Sequence, residues 1–163
     1  MYMNLKTHLW KWFNIEELFI VNAGKYYNSD EYSEGNTPYC SASAINNGIS
    51  KKIDLEPDFS GNKIVIGKVG CNTFYQNTPF SATSDVNILT PRFEMTDLIA
   101  LFIVSVINKS ENYKWSYGRQ CRVGDTKRIN IKLPVSLNDD LEPKIDSSKT
   151  FSKVGYIPDF NFM

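Results

Sequence analysis

The longest apolar run in this chain, Leu98–Val104 continuing past Ser105 to Ile107, is short. A membrane span needs about 20 such residues, so the run predicts a core helix instead. Thr96 or Asp97 can cap its start, and Asn108 stands near its end. The helix is apolar on nearly every side, which places it inside a domain or under an interface. The rest of the apolar sequence comes in brief stretches punctuated by Gly, Pro and Asn. With one core helix and many short strands, the 163 residues are expected to form a single domain, residues 1–163, long enough to bury a real core. The fold class is mixed α/β of the α+β type: sheet-rich, with short strands, long loops and a few helices.

Phe13 to Val21 reads as a first strand or strand plus turn, ended by Asn22-Ala23-Gly24. Residues 25–38 read as a polar loop closing on Gly35-Asn36-Thr37-Pro38. Pro38 holds the chain extended, and Asn46-Asn47-Gly48 supplies residues that tolerate positive φ in a turn. Asn62–Val69 is the clearest strand, with a hairpin-like return through Thr73-Phe74-Tyr75-Gln76. Ser84–Leu89 is another strand. Asp125 can cap one helical turn through Arg128, and Ile129–Leu133 alternates as a strand stopped by Pro134. The tail is polar and acidic until aromatics return at Tyr156–Met163.

Charge is distributed unevenly. Eighteen basic and eighteen acidic residues leave no net charge. Yet Lys109, Lys114, Arg119, Arg122, Lys127, Arg128 and Lys132 crowd into one window, opposed only by Glu111 and Asp125, with Trp115 and Tyr117 among them. Local clustering of this kind beside aromatic rings points to a polyanion, most often nucleic acid. A solvated loop whose cations face water is the alternative. Acidic stretches at 30–34, 54–58 and 139–146 are expected to face away from a phosphate backbone.

Catalytic chemistry finds little support. The single histidine, His8, has no carboxylate at a useful spacing and reads as a surface residue. Gly61 to Lys68 has one residue too many for a phosphate-binding loop and Val69 where the metal-binding hydroxyl belongs. Asp58 with Lys68 resembles part of a nuclease arrangement, but Ile66 occupies the second acid's position, and one carboxylate rarely holds a Mg²⁺. No tetrad for methyl transfer and no nucleophile elbow are present. Cys40, Cys71 and Cys121 match neither a disulfide framework nor zinc spacing, and read as reduced, mostly buried thiols. With no signal peptide at Met1–Trp12, a soluble cytoplasmic binder without a cofactor is expected.

The order of the segments resembles a target recognition domain of type I restriction–modification specificity subunits, a domain type found also in related fused restriction–methylation enzymes. The likeness is carried by Phe13-Asn14-Ile15-Glu16-Glu17-Leu18-Phe19 with Gly24-Lys25, Pro38-Tyr39, and Asn46-Asn47-Gly48-Ile49. It continues through Gly61-Asn62-Lys63-Ile64, Gly70, Phe74-Tyr75-Gln76, and Phe80-Ser81-Ala82-Thr83 to Val86. Leu98–Ile107, Tyr117-Gly118-Arg119, Ile131-Lys132-Leu133-Pro134 and Pro158-Asp159-Phe160 with Phe162-Met163 complete it. The resemblance implies a non-catalytic reader of double-stranded DNA working in the major groove. It also implies docking to methyltransferase and restriction subunits. A full subunit of this family carries two such domains separated by long helices, so this chain is expected to be part of a longer subunit or a stand-alone half. A half would pair with a second copy.

Two jobs divide the candidate DNA-binding residues: phosphate contacts position, base-edge contacts specify. For phosphates the candidates are Lys114, Arg119, Arg122, Lys127 and Arg128, with Lys68 in addition. For base edges they are Asn72, Gln76 and Gln120, with Arg119 able to serve either role. Asn46 and Asn47 share this chemistry, with turn geometry as their alternative. Tyr75 and Tyr117 are expected to pack on sugars or bases, and Trp115, Phe74 and Phe80 in the core. Two other readings stay open. One is a nuclease role resting on Asp58 and Lys68. The other is a protein-interaction module whose aromatic ends (Trp10, Trp12, Phe160, Phe162) dock partner subunits or pack on each other.

Overall fold

The computed structural model describes residues 5–163. In chain order the first elements are β1 (Lys11–Asn14), α1 (Ile15–Leu18), β2 (Phe19–Ala23), β3 (Glu34–Cys40) and β4 (Ile49–Ile53). β5 (Lys63–Gly67), β6 (Thr73–Gln76), β7 (Ser81–Ala82) and β8 (Val86–Pro91) follow. α2 (Asp97–Glu111), α3 (Val123–Lys127) and β9 (Asn130–Leu133) complete the set. The strands form a four-stranded sheet in the order β2-β8-β5-β6, a three-stranded sheet β4-β3-β7, and a separate ribbon of β1 with β9.

β5 organises the interior. It pairs antiparallel with β6 on one side and β8 on the other, so both its edges are hydrogen-bonded. Ile64, Val65 and Ile66 are consecutive and all buried, the mark of a strand covered on both faces. Their alternation divides the core. Ile64 and Ile66 face the larger cluster with Ile99, Ile103 and Ile107 of α2, and Val65 faces the smaller one with Cys40, Phe80, Ala82, Val86 and Ile88. Each fully buried Ile of this kind stabilises by about 1.5–3 kcal/mol relative to exposure.

The helix begins where expected, with the Thr96 hydroxyl accepting from the Ile99 N–H at 3.3 Å. It runs to Glu111, four residues past Ile107, because its last turn is used: the Asn108 amide clasps the backbone of Thr73, accepting at 2.9 Å and donating at 2.8 Å. One face is left open, with Leu98 and Leu101 exposed.

Several expectations need correction. Phe13–Val21 is not one strand. Asn14 caps a helical turn by accepting from the Glu16 N–H at 3.0 Å, and this turn separates β1 from β2. The supposed loop 25–38 ends in β3, which begins at Glu34 and pairs with β4 through register shifts. α3 starts at Val123 rather than Asp125, and Asp125 instead reaches back to the Arg122 N–H at 3.2 Å. The chain ends do pack together, through Trp10 against Phe162 with ring centroids 6.2 Å apart. Phe160 stacks on Phe93 at 4.8 Å. No helix among the described residues is long and apolar enough to cross a membrane.

Candidate nucleic-acid interface

The segment from Asn112 to Asn130 leaves the end of α2, crosses the surface, and returns as β9 beside β1. Its tip is a two-residue turn, closed by reciprocal backbone bonds between Ser116 and Arg119 at 3.1 Å. Tyr117 at the tip is 84% exposed, and a side chain built on Gly118 would meet nothing within 4 Å. The tip therefore stands clear of the domain.

Behind the tip the segment is fastened by buried polar groups. Glu111, 3% exposed, accepts from the Lys114 ammonium at 2.7 Å and the Trp115 indole N–H at 3.2 Å. That hydrogen bond raises the Lys114 pKa above its ordinary value, against a smaller opposing effect of burial. The Arg119 guanidinium lies over the Trp115 ring, 5.2 Å from its centroid. Further along, the Asn87 amide in β8 donates to the Cys121 carbonyl and the Thr126 hydroxyl, each at 2.8 Å. The Cys121 N–H donates to the Lys68 carbonyl at 2.8 Å. Cys121 also lies 4.0 Å from Cys71, sulfur to sulfur, although the two are far apart in sequence. All three thiols are free and buried, as their spacing implied. Burial pushes the Cys40 thiol up to about 12, and the Cys71 thiol is raised by its hydrogen bond with Cys121 and by burial.

This scaffold brings together Lys114, Tyr117, Arg119, Gln120, Arg122, Lys127 and Arg128. Their charge states differ in what surrounds them. Lys127 pairs with Glu16 at 3.1 Å, and Arg128 pairs with Asp125 at 2.7 Å. Arg119 and Arg122 are exposed and have no carboxylate within ion-pair distance among the described residues. Within this group they carry the uncompensated positive charge. Gln120 is half-buried beside them.

The other expected residues divide. Lys68 and Asn72 lie in the turn from β5 to β6, against the base of the same segment, but the Lys68 ammonium is occupied by the Ser84 carbonyl. Tyr75 directs its hydroxyl towards the opposite end of α2, away from the segment. Its hydroxyl donates to Asp97 at 2.7 Å, and burial, then Asp97, pushes its pKa up to about 12. Gln76 is 4% exposed and donates to the Asn47 carbonyl at 2.8 Å, so it braces a turn and presents no edge to a groove. Asn46 and Asn47 hold φ of 58° and 54°, which makes turn geometry their role. Phe80 is buried, as expected, and Trp115 and Phe74 are half-buried against the two clusters.

Three residues that shape this surface escaped the sequence reading. Glu111 counted there only as an opposing charge, and Trp12 only as part of an aromatic end. Asn87 had one signal, a lone amide between Val86 and Ile88 in an otherwise apolar strand. The nuclease reading loses its geometry. Asp58 accepts from the Tyr27 hydroxyl at 2.7 Å and lies 3.9 Å from Lys25, while Lys68 is committed to Ser84. Among the described residues no group of three or more His, Cys, Asp or Glu side chains is placed to hold a metal ion.

Fold and surface together define a class: a mixed α+β domain carrying an exposed cationic loop with an aromatic tip. Residues 8–142 match the type I restriction modification DNA specificity domain family, and the chain belongs to that family. It is 25% identical over 134 residues to the type II restriction enzyme BgcI specificity subunit S.BcgI of Heyndrickxia coagulans, covering 80% of this chain and 39% of that protein. In fold it is similar to the type I restriction–modification S subunit of M. genitalium, with a TM-score of 0.59 at 22% identity over 76% of this chain. It is similar also to the HsdS subunit of Thermoanaerobacter tengcongensis, with a TM-score of 0.56 at 18% identity over 81% of this chain. The chain spans 34% of the length of each of those two structures.

Proposed function

We propose that this domain reads a short sequence of duplex DNA as the specificity component of a restriction–modification assembly and performs no catalytic step itself. One observation carries the reading: two exposed cations without carboxylate partners, Arg119 and Arg122, stand beside a projecting aromatic tip on a firmly anchored loop. Lys127 and Arg128 add cations whose carboxylate partners, Glu16 and Asp125, a phosphate can replace, because surface ion pairs of this kind are worth only about 0–1 kcal/mol; Lys114 stays tied to the buried Glu111. The Arg119 guanidinium offers two parallel donors and the Gln120 amide a donor beside an acceptor, the pairings that base edges require. Membership of the family supports the reading. The methyltransferase and restriction subunits of the same system are its proposed partners, with pairing to a second copy if the chain works as a half-subunit.

Selection from a randomised duplex pool at low salt tests this. Enrichment of a motif of a few base pairs, weakened by Arg119→Ala, is the expected result. With about four phosphate contacts, log K against log[salt] falls with a slope of roughly −3.6, from ~0.9 per contact. A slope near zero with no retained duplex overturns the reading. Leu98 and Leu101, 70% and 51% exposed on the open face of α2, favour a second role in docking a partner subunit. Loss of partner binding in Leu98→Ser with DNA retention unchanged is the corresponding test.

A further inference from the structure

The basic segment and the β1–β9 ribbon enclose a cleft of about 830 Å³, open to solvent and within the size range of small-ligand sites. One wall is Trp12. It lies opposite Lys132 on the ribbon and is 61% exposed, whereas its neighbour Phe13 is 1% exposed and belongs to the core. The other wall is Trp115, fixed by Glu111 and covered on one face by Arg119. Ile129 gives an apolar patch, and Asn130 and Arg128 also line the cleft.

Charge narrows what the cleft suits. Lys114 and Arg128 already have carboxylate partners in Glu111 and Asp125, so Arg119 alone brings unpaired positive charge. Two indoles, a planar guanidinium and an amide around a site with one free cation suit a planar heterocycle carrying a single phosphate. They do not suit a triphosphate or an aliphatic ligand. Aromatic faces and Arg planes are the platforms on which unpaired bases stack, and stacking tolerates any base.

We infer that this cleft binds one unstacked nucleotide of the bound DNA, with its base against Trp12 and its phosphate at Arg119. The inference rests on the DNA-recognition reading and adds to it a site at the base of the exposed tip. It gives a role to Trp12, an indole left 61% exposed. Unstacking is cheapest at a bulge or mismatch, so such duplexes bind more tightly than fully paired ones.

Two measurements on the full chain decide it. The first compares a paired duplex with the same duplex carrying a single-base 2-aminopurine bulge. The bulged duplex binds about tenfold more tightly, within the roughly 5- to 150-fold that base–aromatic stacking spans. In Trp12→Ala the ratio of the two affinities falls towards one, and Trp12→Phe keeps most of it. The second titrates adenosine 5′-monophosphate against tryptophan fluorescence, with inorganic phosphate as control. Quenching by the nucleotide, lost in Arg119→Ala and not produced by phosphate, supports the site even if no duplex is retained. The DNA-recognition reading then fails alone. Duplex retention with a bulge ratio of one and no nucleotide quenching overturns the cleft and leaves the reading standing. A bulge preference that survives in Trp12→Ala, with circular dichroism unchanged, also overturns the cleft.

Discussion

Asn87 ties the scaffold to the surface, and its truncation has a calculable cost. In Asn87→Ala the Cys121 carbonyl loses its donor in the interior, at about 1–3 kcal/mol for an orphaned buried acceptor. The Thr126 hydroxyl fares better, because the Cys121 sulfur stays within 3.2 Å of it. One gain offsets the loss. The Asn87 side-chain oxygen is buried without a partner, so its removal relieves a desolvation cost that the native protein carries. A small cavity adds back a comparable amount. The net destabilisation is about 2 kcal/mol, or a fall in melting temperature of roughly 4–8 °C for a domain of this size. Urea unfolding followed by tryptophan fluorescence measures it. Hydrogen exchange locates it, with amides of residues 120–126 opening faster in the variant while those of β5 hold. A change below about 0.5 kcal/mol, with exchange in that segment unaltered, would refute the claim that this amide fastens the loop.

Other expectations concern charge and protonation. Arg119→Ala and Arg122→Ala each flatten the salt slope of DNA binding by about 0.9, while Arg128→Ala flattens it less because Asp125 already competes for that guanidinium. Filter binding from low to moderate salt distinguishes them, and equal slopes for all three variants contradict the assignment. Tyr75 has its pKa raised from 10.0 to about 12 in the folded state, so the fold retains its proton after the unfolded chain has lost it. The stability this supplies is fully present below pH 10 and is lost as pH rises from there through about 12. Tyr75→Phe should remove that alkaline slope from the urea midpoint. Finally, the three buried thiols should resist a disulfide reagent at pH 8 in the native state and react fully in denaturant. Rapid labelling of native Cys40 would contradict its burial.

Much of this architecture was legible in the sequence, where local pattern and final environment agree. The Thr96 cap, the β5–β6 hairpin and the Asn46–Gly48 turn each follow from a few adjacent residues. β3 did not, because Glu34-Gly35-Asn36-Thr37-Pro38 has no alternation, and its strand geometry comes from pairing with β4 and β7. The helical turn after Asn14 was hidden because Ile15, Leu18 and Phe19 suit a strand as well as a turn. The candidate surface divides in the same way. Its cations are contiguous in sequence, so composition alone located them. Asn87 and Trp12 reach it only through the fold, from β8 and from β1, while Glu111 lies in the same stretch and only its burial was hidden. Gln76 shows the converse: its chemistry suits a base edge, but the Asn46–Gly48 turn packs over it.

The bare tip at Tyr117 and Gly118 has a consequence for how such a domain can change. Nothing in the core leans on those two residues, and the anchors at Glu111, Cys121 and Thr126 lie outside the tip. Substitutions or added residues between Ser116 and Arg119 can therefore alter what the loop touches while leaving folding almost untouched. Preference for a target and persistence of the fold become separately adjustable properties. Selection can explore new targets at that position without first having to rescue the protein.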